Sequence, residues 1–253
     1  MKKIATTSLL VLLGLSSLGH TMIDVTDSKK KVGIHTGAYG SPKLSPAQFM
    51  DAFQSIEATV EELSISYVPP LPTPTPWDFE MPNLKKLFLH FTFHRENLDP
   101  DYFVDDQGNE IKRDHDPRNK SWGFTLNSFI TFLQHAKSIE ELSLSDARNS
   151  LPEAFFEALK ELPNLKSLNF YKNDFDPQSF AHLKNHLTLE KLVIGKSDGV
   201  SQDLVPFLVF PKIKELTIEN EGISDDPTEP VFLRESDIEQ IRRQNPNATV
   251  SAW

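Results

Sequence analysis

The chain has 253 residues, with 36 acidic and 26 basic side chains and a formal net charge of −10. At 38% hydrophobic residues and a mean hydropathy of −0.37, it can bury a sizeable core as one domain or as an elongated array. The negative charge argues against nucleic-acid or anionic-membrane partners, and the lack of any cysteine excludes a disulfide framework, a lipid-modified cysteine and a cysteine nucleophile.

In chain order, residues 1–19 read as a secretory signal peptide. Lys2 and Lys3 precede the apolar run Leu9 to Leu13, and Ser17-Leu18-Gly19 offers the small residues a signal peptidase inspects, with cleavage before His20. The alternative is an uncleaved anchor, but the apolar run falls well short of the roughly 20 residues a spanning helix needs. The mature chain is therefore expected to be exported, periplasmic or secreted, without a membrane span. The twin-lysine start and the lack of cysteine fit a bacterial protein, so the acceptor tripeptides at Asn119 and Asn247 are expected to stay unglycosylated. Residues 20–30 are polar and expected to be a loose N-terminus, and residues 31–253 form the folded domain.

Lys31 to Ile34 is a candidate edge strand. Ser45-Pro46 opens a helix with Phe49, Phe53 and Ile56 on one stripe. A short pattern, apolar-x-x-Leu-x-apolar, first appears at Val60/Leu63/Ile65 and is followed by a stretch with five prolines between Val68 and Trp77. That stretch reads either as a stiff replacement for a helix or as a polyproline segment able to dock on an aromatic groove. The pattern returns at Leu84/Leu87/Leu89. Residues 92–123 are an insertion or a degenerate repeat, in which Tyr102 to Arg113 reads as two short strands around a Gly-Asn turn. Helical stripes follow at Leu126/Phe129/Ile130/Leu133, at Phe155/Leu159/Leu162 and, after Asp176-Pro177, at Phe180/Leu183/Leu187. Between and after them the pattern recurs at Ile139/Leu142/Leu144, Leu165/Leu168/Phe170, Leu189/Leu192/Ile194 and Ile213/Leu216/Ile218. Residues 248–253 are a candidate closing strand.

The central leucines lie at 63, 87, 142, 168, 192 and 216, so all but one of the steps are 24 or 26 residues. A period in the twenties with one short strand per unit resembles the leucine-rich repeat family over roughly residues 45–221. The resemblance implies an α/β solenoid of the ribonuclease-inhibitor-like horseshoe type, with a parallel sheet on the concave face and helices on the convex face. Asn173 occupies the family's asparagine position, while Val68, Thr92, Ala147, Ser197 and Glu221 stand there in the other copies. A regular asparagine ladder is therefore not expected.

For chemistry, His182 and His186 stand four apart on a helical stripe, the spacing of a metal-ligand pair, but Leu183 occupies the place where a zinc protease carries its glutamate. His115 lies between Asp114 and Asp116. Neither these groups nor Asp105 to Glu110 complete a metal site, and no nucleophile elbow, phosphate loop or dinucleotide fingerprint is present. No catalytic residue, cofactor or metal is expected. With the apolar repeat positions turned inward, alternate side chains project from the concave sheet. The partner-binding candidates there are Tyr67, Phe88, His90, Phe91, Asp146, Tyr171 and Lys172, with Phe88 and Phe91 as exposed aromatic anchors unless the insertion covers them. The charges at the first projecting position, Glu62, Lys86, Glu141, Lys191 and Glu215, alternate in sign and argue against a single polyionic ligand. The resemblance implies a monomeric, non-catalytic scaffold that recognises another protein. The alternatives are an exported hydrolase or metal-binding protein using the insertion or the 182/186 histidine pair, and a structural envelope protein or host-directed effector.

Overall fold

Each copy of the pattern becomes a five-residue strand, because period-two alternation of apolar side chains gives a strand one dry face. The computed structural model describes residues 9–10, 22–26, 30–35, 59–66, 77, 80–90, 102–104, 110–112, 124–145, 150–184, 186–195, 200, 202–219 and 233–252. The strands are β1 Leu9–Leu10, β2 Met22–Thr26, β3 Lys31–His35, β4 Glu62–Ser66, β5 Lys86–His90, β6 Tyr102–Val104, β7 Glu110–Lys112, β8 Glu141–Ser145, β9 Ser150–Leu151, β10 Ser167–Tyr171, β11 Asp174–Phe175, β12 Lys191–Gly195, β13 Glu215–Glu219 and β14 Thr249–Ala252. The helices are α1 Leu126–His135, α2 Glu153–Lys160 and α3 Glu235–Gln244, with 3-10 helices at Pro177–Leu183 and Gln202–Phe207.

One open sheet runs in the order β1-β2-β3-β4-β5-β8-β10-β12-β13-β14. From β3 onward the strands are parallel, a mostly parallel eight-stranded α/β arrangement that is solenoid-like, and β1 and β2 join it antiparallel. The register follows the sequence repeat residue for residue: Leu63, Leu87, Leu142, Leu168, Leu192 and Leu216 lie opposite one another, flanked by Val32 at one end and Val250 at the other. All six leucines are at most 1% exposed. In the column of Ile65, Leu89, Leu144, Phe170, Ile194 and Ile218 no residue is more than 2% exposed.

In-register parallel stacking brings equivalent residues of successive repeats side by side, roughly 4.8 Å apart. Equal charges at one repeat position would therefore repel along the whole stack. Alternation of sign avoids this. Just before the strands, Lys30 and Lys85 both pair with Glu61, Lys166 pairs with Glu140, and Lys214 with Glu190. At the first strand position Lys31 pairs with Glu62, Lys86 with Glu141 and Lys191 with Glu215. The ammonium groups of Lys30 and Lys85 hold the Glu61 carboxyl down at about 2, and Lys166 lowers that of Glu140. The backbone repeats the same step: the amides of Glu61, Lys85, Glu140, Lys166, Glu190, Lys214 and Thr249 each donate to the carbonyl one repeat earlier.

The covered face of the sheet packs on two aromatic groups. Trp77, at the end of the proline-rich stretch, meets Phe124, Phe129 and Phe132 with ring centroids 4.9, 5.1 and 5.3 Å away, and its amide donates to Ser128 Oγ. Phe155 and Phe156 of α2 pack on Phe170, and Phe156 also meets Phe175 and Phe180.

Most expected elements lie where the pattern put them. α1 buries its expected stripe, while α2 starts at Glu153, after the short strand Ser150–Leu151, and buries Phe155 and Leu159, with Leu162 just beyond its end. β14 takes the place of the candidate closing strand, β3 forms but is not an edge because β2 pairs on its other side, and β6–β7 form the expected antiparallel pair as a separate sheet. The long step between repeats puts no strand between β5 and β8, since Leu87 lies directly opposite Leu142. Several elements differ. Met22–Thr26, inside the stretch expected to be loose, forms β2, and Leu9–Leu10, inside the expected signal peptide, pairs with it. The helix after Asp176 is 3-10 rather than α. With about three residues per turn, it buries Phe180 and Leu183 and ends before Leu187, which is 74% exposed instead of on the stripe. The helix expected after Ser45 and the proline-rich residues before Trp77 lie outside the described residues. Among the described residues, no helix is long and apolar enough to cross a membrane.

Asn173, which follows β10, is buried. Its amide nitrogen donates to the Leu144 carbonyl at 2.8 Å and to the Tyr171 carbonyl at 3.1 Å, and its backbone amide donates to Gly195 O. It thereby ties three successive repeats together. Asn173→Ala should cost about 1–3 kcal/mol in denaturant unfolding, because it leaves buried carbonyl groups without their donor.

Candidate functional site

The second face of the sheet carries no helix among the described residues, and its side chains are the alternate positions of each strand, half-buried where the leucines are fully buried. Beside the row of paired charges at the first strand position, two further rows run across it. One reads Gly33, Ser64, Phe88, Ser143, Asn169, Val193, Thr217 and Ser251. The other reads Ser66, His90, Ser145 and Tyr171, continuing through Gly195 and Glu219.

Side-chain length gives this face relief. β4 and β8 are Glu-Leu-Ser-Ile-Ser and Glu-Leu-Ser-Leu-Ser, so both present only serines at these two rows. β5 between them raises Phe88 and His90, and β10 beyond β8 raises Asn169 and Tyr171. A furrow floored by Ser143 and Ser145 thus lies between two ridges roughly 10 Å apart, two strand spacings. Phe88 is half-buried rather than exposed, on the strand between those of Ser64 and Ser143.

Gly195 shapes the far wall. A Cβ there would stand 3.2 Å from Tyr171 Cδ2 and 3.1 Å from Glu219 Oε2, so the missing side chain is what lets the tyrosine ring and the carboxylate close over β12. Lys172 follows in the left-handed region, at φ 52°, and sets its ammonium 5.0 Å from the centre of the Tyr171 ring. Phe88, His90, Tyr171 and Lys172 therefore flank one furrow on a single face. Tyr67, Phe91 and Asp146 lie outside the described residues. The two serine strands and Gly195 were in view in the sequence. Their signal was shortness: Ser at both alternate positions of two repeats, and Gly inside a strand pattern.

The histidine pair at 182 and 186 does not act together. His186 is buried. Its Nε2 donates to Leu159 O at 3.2 Å, and its Nδ1 accepts from the Leu189 and Thr188 amides at 3.2 and 3.4 Å, so both ring nitrogens are committed to backbone. His182 turns instead to α2, where its Nε2 lies 2.8 Å from Glu153 Oε1. His115 and its flanking aspartates fall outside the described residues, and His135 is exposed at the end of α1.

In comparisons with known proteins, the chain matches no family model and no curated protein.

Burial pushes the His186 imidazole below its ordinary 6.5, against a smaller opposing effect from its bonds to Leu159 and Leu162. The unfolded chain then takes up a proton more readily than the folded one. The stability His186 supports is full above about pH 6.5, falls as the pH drops below that value, and levels off under the folded pKa. Glu61 and Glu140, whose carboxyls are lowered, lose their contribution only below about pH 4.5, so on acidification the His186 contribution starts to fall first. His186→Gln is expected to be less stable at pH 8 and to have a flatter stability curve between pH 7 and 5, as measured by urea unfolding across that range.

Proposed function

We propose that this chain is a leucine-rich repeat protein of the ribonuclease-inhibitor-like type, acting outside the cytoplasm as a non-catalytic scaffold that binds another protein on the concave face of its sheet. The observation that supports this best is the furrow over β8: a serine floor between an aromatic and imidazole ridge at Phe88 and His90 and a second ridge at Tyr171 with its Lys172 cation. Rigid aromatic side chains beside a channel of short hydroxyl residues form a socket for the projecting side chains of a partner, with the ring faces supplying contact area and the serines supplying hydrogen bonds. The mixed signs on the neighbouring strand ends are already paired with one another, which leaves the furrow to be recognised by shape and polarity rather than by net charge.

Filling the furrow tests this reading. A crosslinking pull-down from the native cell or its host would compare the wild-type chain with Ser143→Trp and Ser145→Trp, with Lys172→Gly, and with a helix-side control, Gln134→Trp, each confirmed folded by circular dichroism. Lys172→Gly removes the cation at a backbone position glycine adopts readily. The expected result is one partner lost by at least about tenfold, worth about 1.4 kcal/mol, in the two tryptophan variants, weakened in Lys172→Gly and retained in the control. A partner that tolerates a filled furrow but not Gln134→Trp places recognition on the helices and contradicts the reading.

A further inference from the structure

We infer that the helix side carries a divalent transition-metal site of the zinc type, built from Glu153, Glu157 and His182. One ligand atom from each of the three side chains lies within 4.8 Å of the other two. Glu153 and Glu157 are one turn apart on α2 and share a face, while His182 comes from the separate Pro177–Leu183 helix, so tertiary packing and not local sequence brings them together.

The scaffold under the three groups is fixed at several levels. β9 and β11 pair in parallel immediately before the two helices, with Ser150 opposite Asp174 and Leu151 opposite Phe175. Asp176 caps the start of the 3-10 helix by accepting the Gln178 amide at 2.9 Å. Phe156 packs on Phe180 at 5.2 Å, which locks the inner faces of both helices. His182 sits between the buried Ser179–Phe180 pair and the buried Leu183, so its position is set by core contacts. It is only 23% exposed, against 70% for the Glu153 side chain. His186, by contrast, is occupied by backbone on both nitrogens, which leaves His182 as the imidazole able to coordinate.

A zinc ion draws its nitrogen and carboxylate ligands to about 2.0–2.2 Å, so the ligand atoms must close to roughly 3.5 Å from one another. The two exposed glutamates can supply that adjustment by rotation of their terminal torsions while His182 stays in place. For coordination the Nε2 proton that faces Glu153 moves to Nδ1 or is released, and the carboxylate that accepted it becomes a ligand. One borderline nitrogen donor with two carboxylates selects Zn2+ or Co2+ over Mg2+ and Ca2+, which take oxygen donors. Three protein ligands leave a coordination position open for water or for a partner's side chain. This site stands independently of the protein-binding reading, because it lies on the opposite side of the sheet from the furrow.

The test is titration of the untagged, full-length chain with Co2+, followed by its visible absorption, and with Zn2+, followed by calorimetry and thermal unfolding. Wild type, His182→Gln, Glu157→Gln and, as a control, His135→Gln would be compared. The expected result is uptake of one ion per chain with a rise in the unfolding midpoint, retained by His135→Gln and weakened by tenfold or more in His182→Gln and Glu157→Gln. Absence of one-to-one uptake by the wild type, or equal uptake by the two site variants, overturns the assignment. Should His182→Gln fail to fold, the exposed Glu157→Gln decides alone.

Discussion

In-register parallel stacking is the constraint on which the rest of the molecule depends. Once Leu63, Leu87, Leu142, Leu168, Leu192 and Leu216 occupy one dry column, every other repeat position is forced into a column of its own. Apolar columns gain from this, since their side chains pack on like neighbours and leave water together. Charged columns suffer from it unless the signs alternate. The observed order of Lys30, Glu61, Lys85, Glu140, Lys166, Glu190 and Lys214 meets that requirement at the entry to each strand. Exposed pairs of this kind add little stability singly. Their effect is on strand order: pairing a strand with the next but one would set Glu against Glu and Lys against Lys.

The same constraint separates two surfaces. On the covered face, α1, α2 and the 3-10 helices close over the leucine columns with aromatic rings. On the open face nothing repeats strictly, and the strands differ in height according to whether they carry serine, glycine or a ring. The furrow over β8 and the Glu153/Glu157/His182 group thus have different origins. The first comes from variation along a strictly ordered sheet, and the second from two helices whose starts are tied by β9 and β11.

Much of this was legible in the sequence, because the strand repeat is short, apolar and periodic. Its six copies gave the strands, their register and the inward-facing residues. What escaped had weak or misleading local signals. α3 buries Ile238 and Ile241 from an otherwise polar Glu-Ser-Asp-Ile-Glu-Gln-Ile-Arg-Arg-Gln sequence, too few apolar residues to trace a stripe. Gln202–Phe207 contains Pro206, which reads as a loop. Leu187 matched an α-helical stripe, but 3-10 geometry turns the chain faster and leaves it in solvent. At the candidate sites, alternation alone assigns residue positions to the face, whereas the depth of the furrow is set by where side chains are short. The pairing of His182 with Glu153 depends on a contact between residues 29 positions apart and has no signature in the local sequence.

The most direct test of the stacking is a set of interspin distances, favoured by a chain that contains no cysteine of its own. Spin labels at Ser64→Cys combined in turn with Ser143→Cys, Val193→Cys and Thr217→Cys span two, four and five strand spacings in the β4-β5-β8-β10-β12-β13 order. Backbone separations of about 10, 19 and 24 Å are predicted for a flat sheet, slightly shortened by curvature. Distances growing by one spacing per strand, with β8 directly beside β5 despite the 55-residue step, would uphold the account. An additional spacing between Ser64 and Ser143 would place a strand of the insertion within the sheet and contradict it.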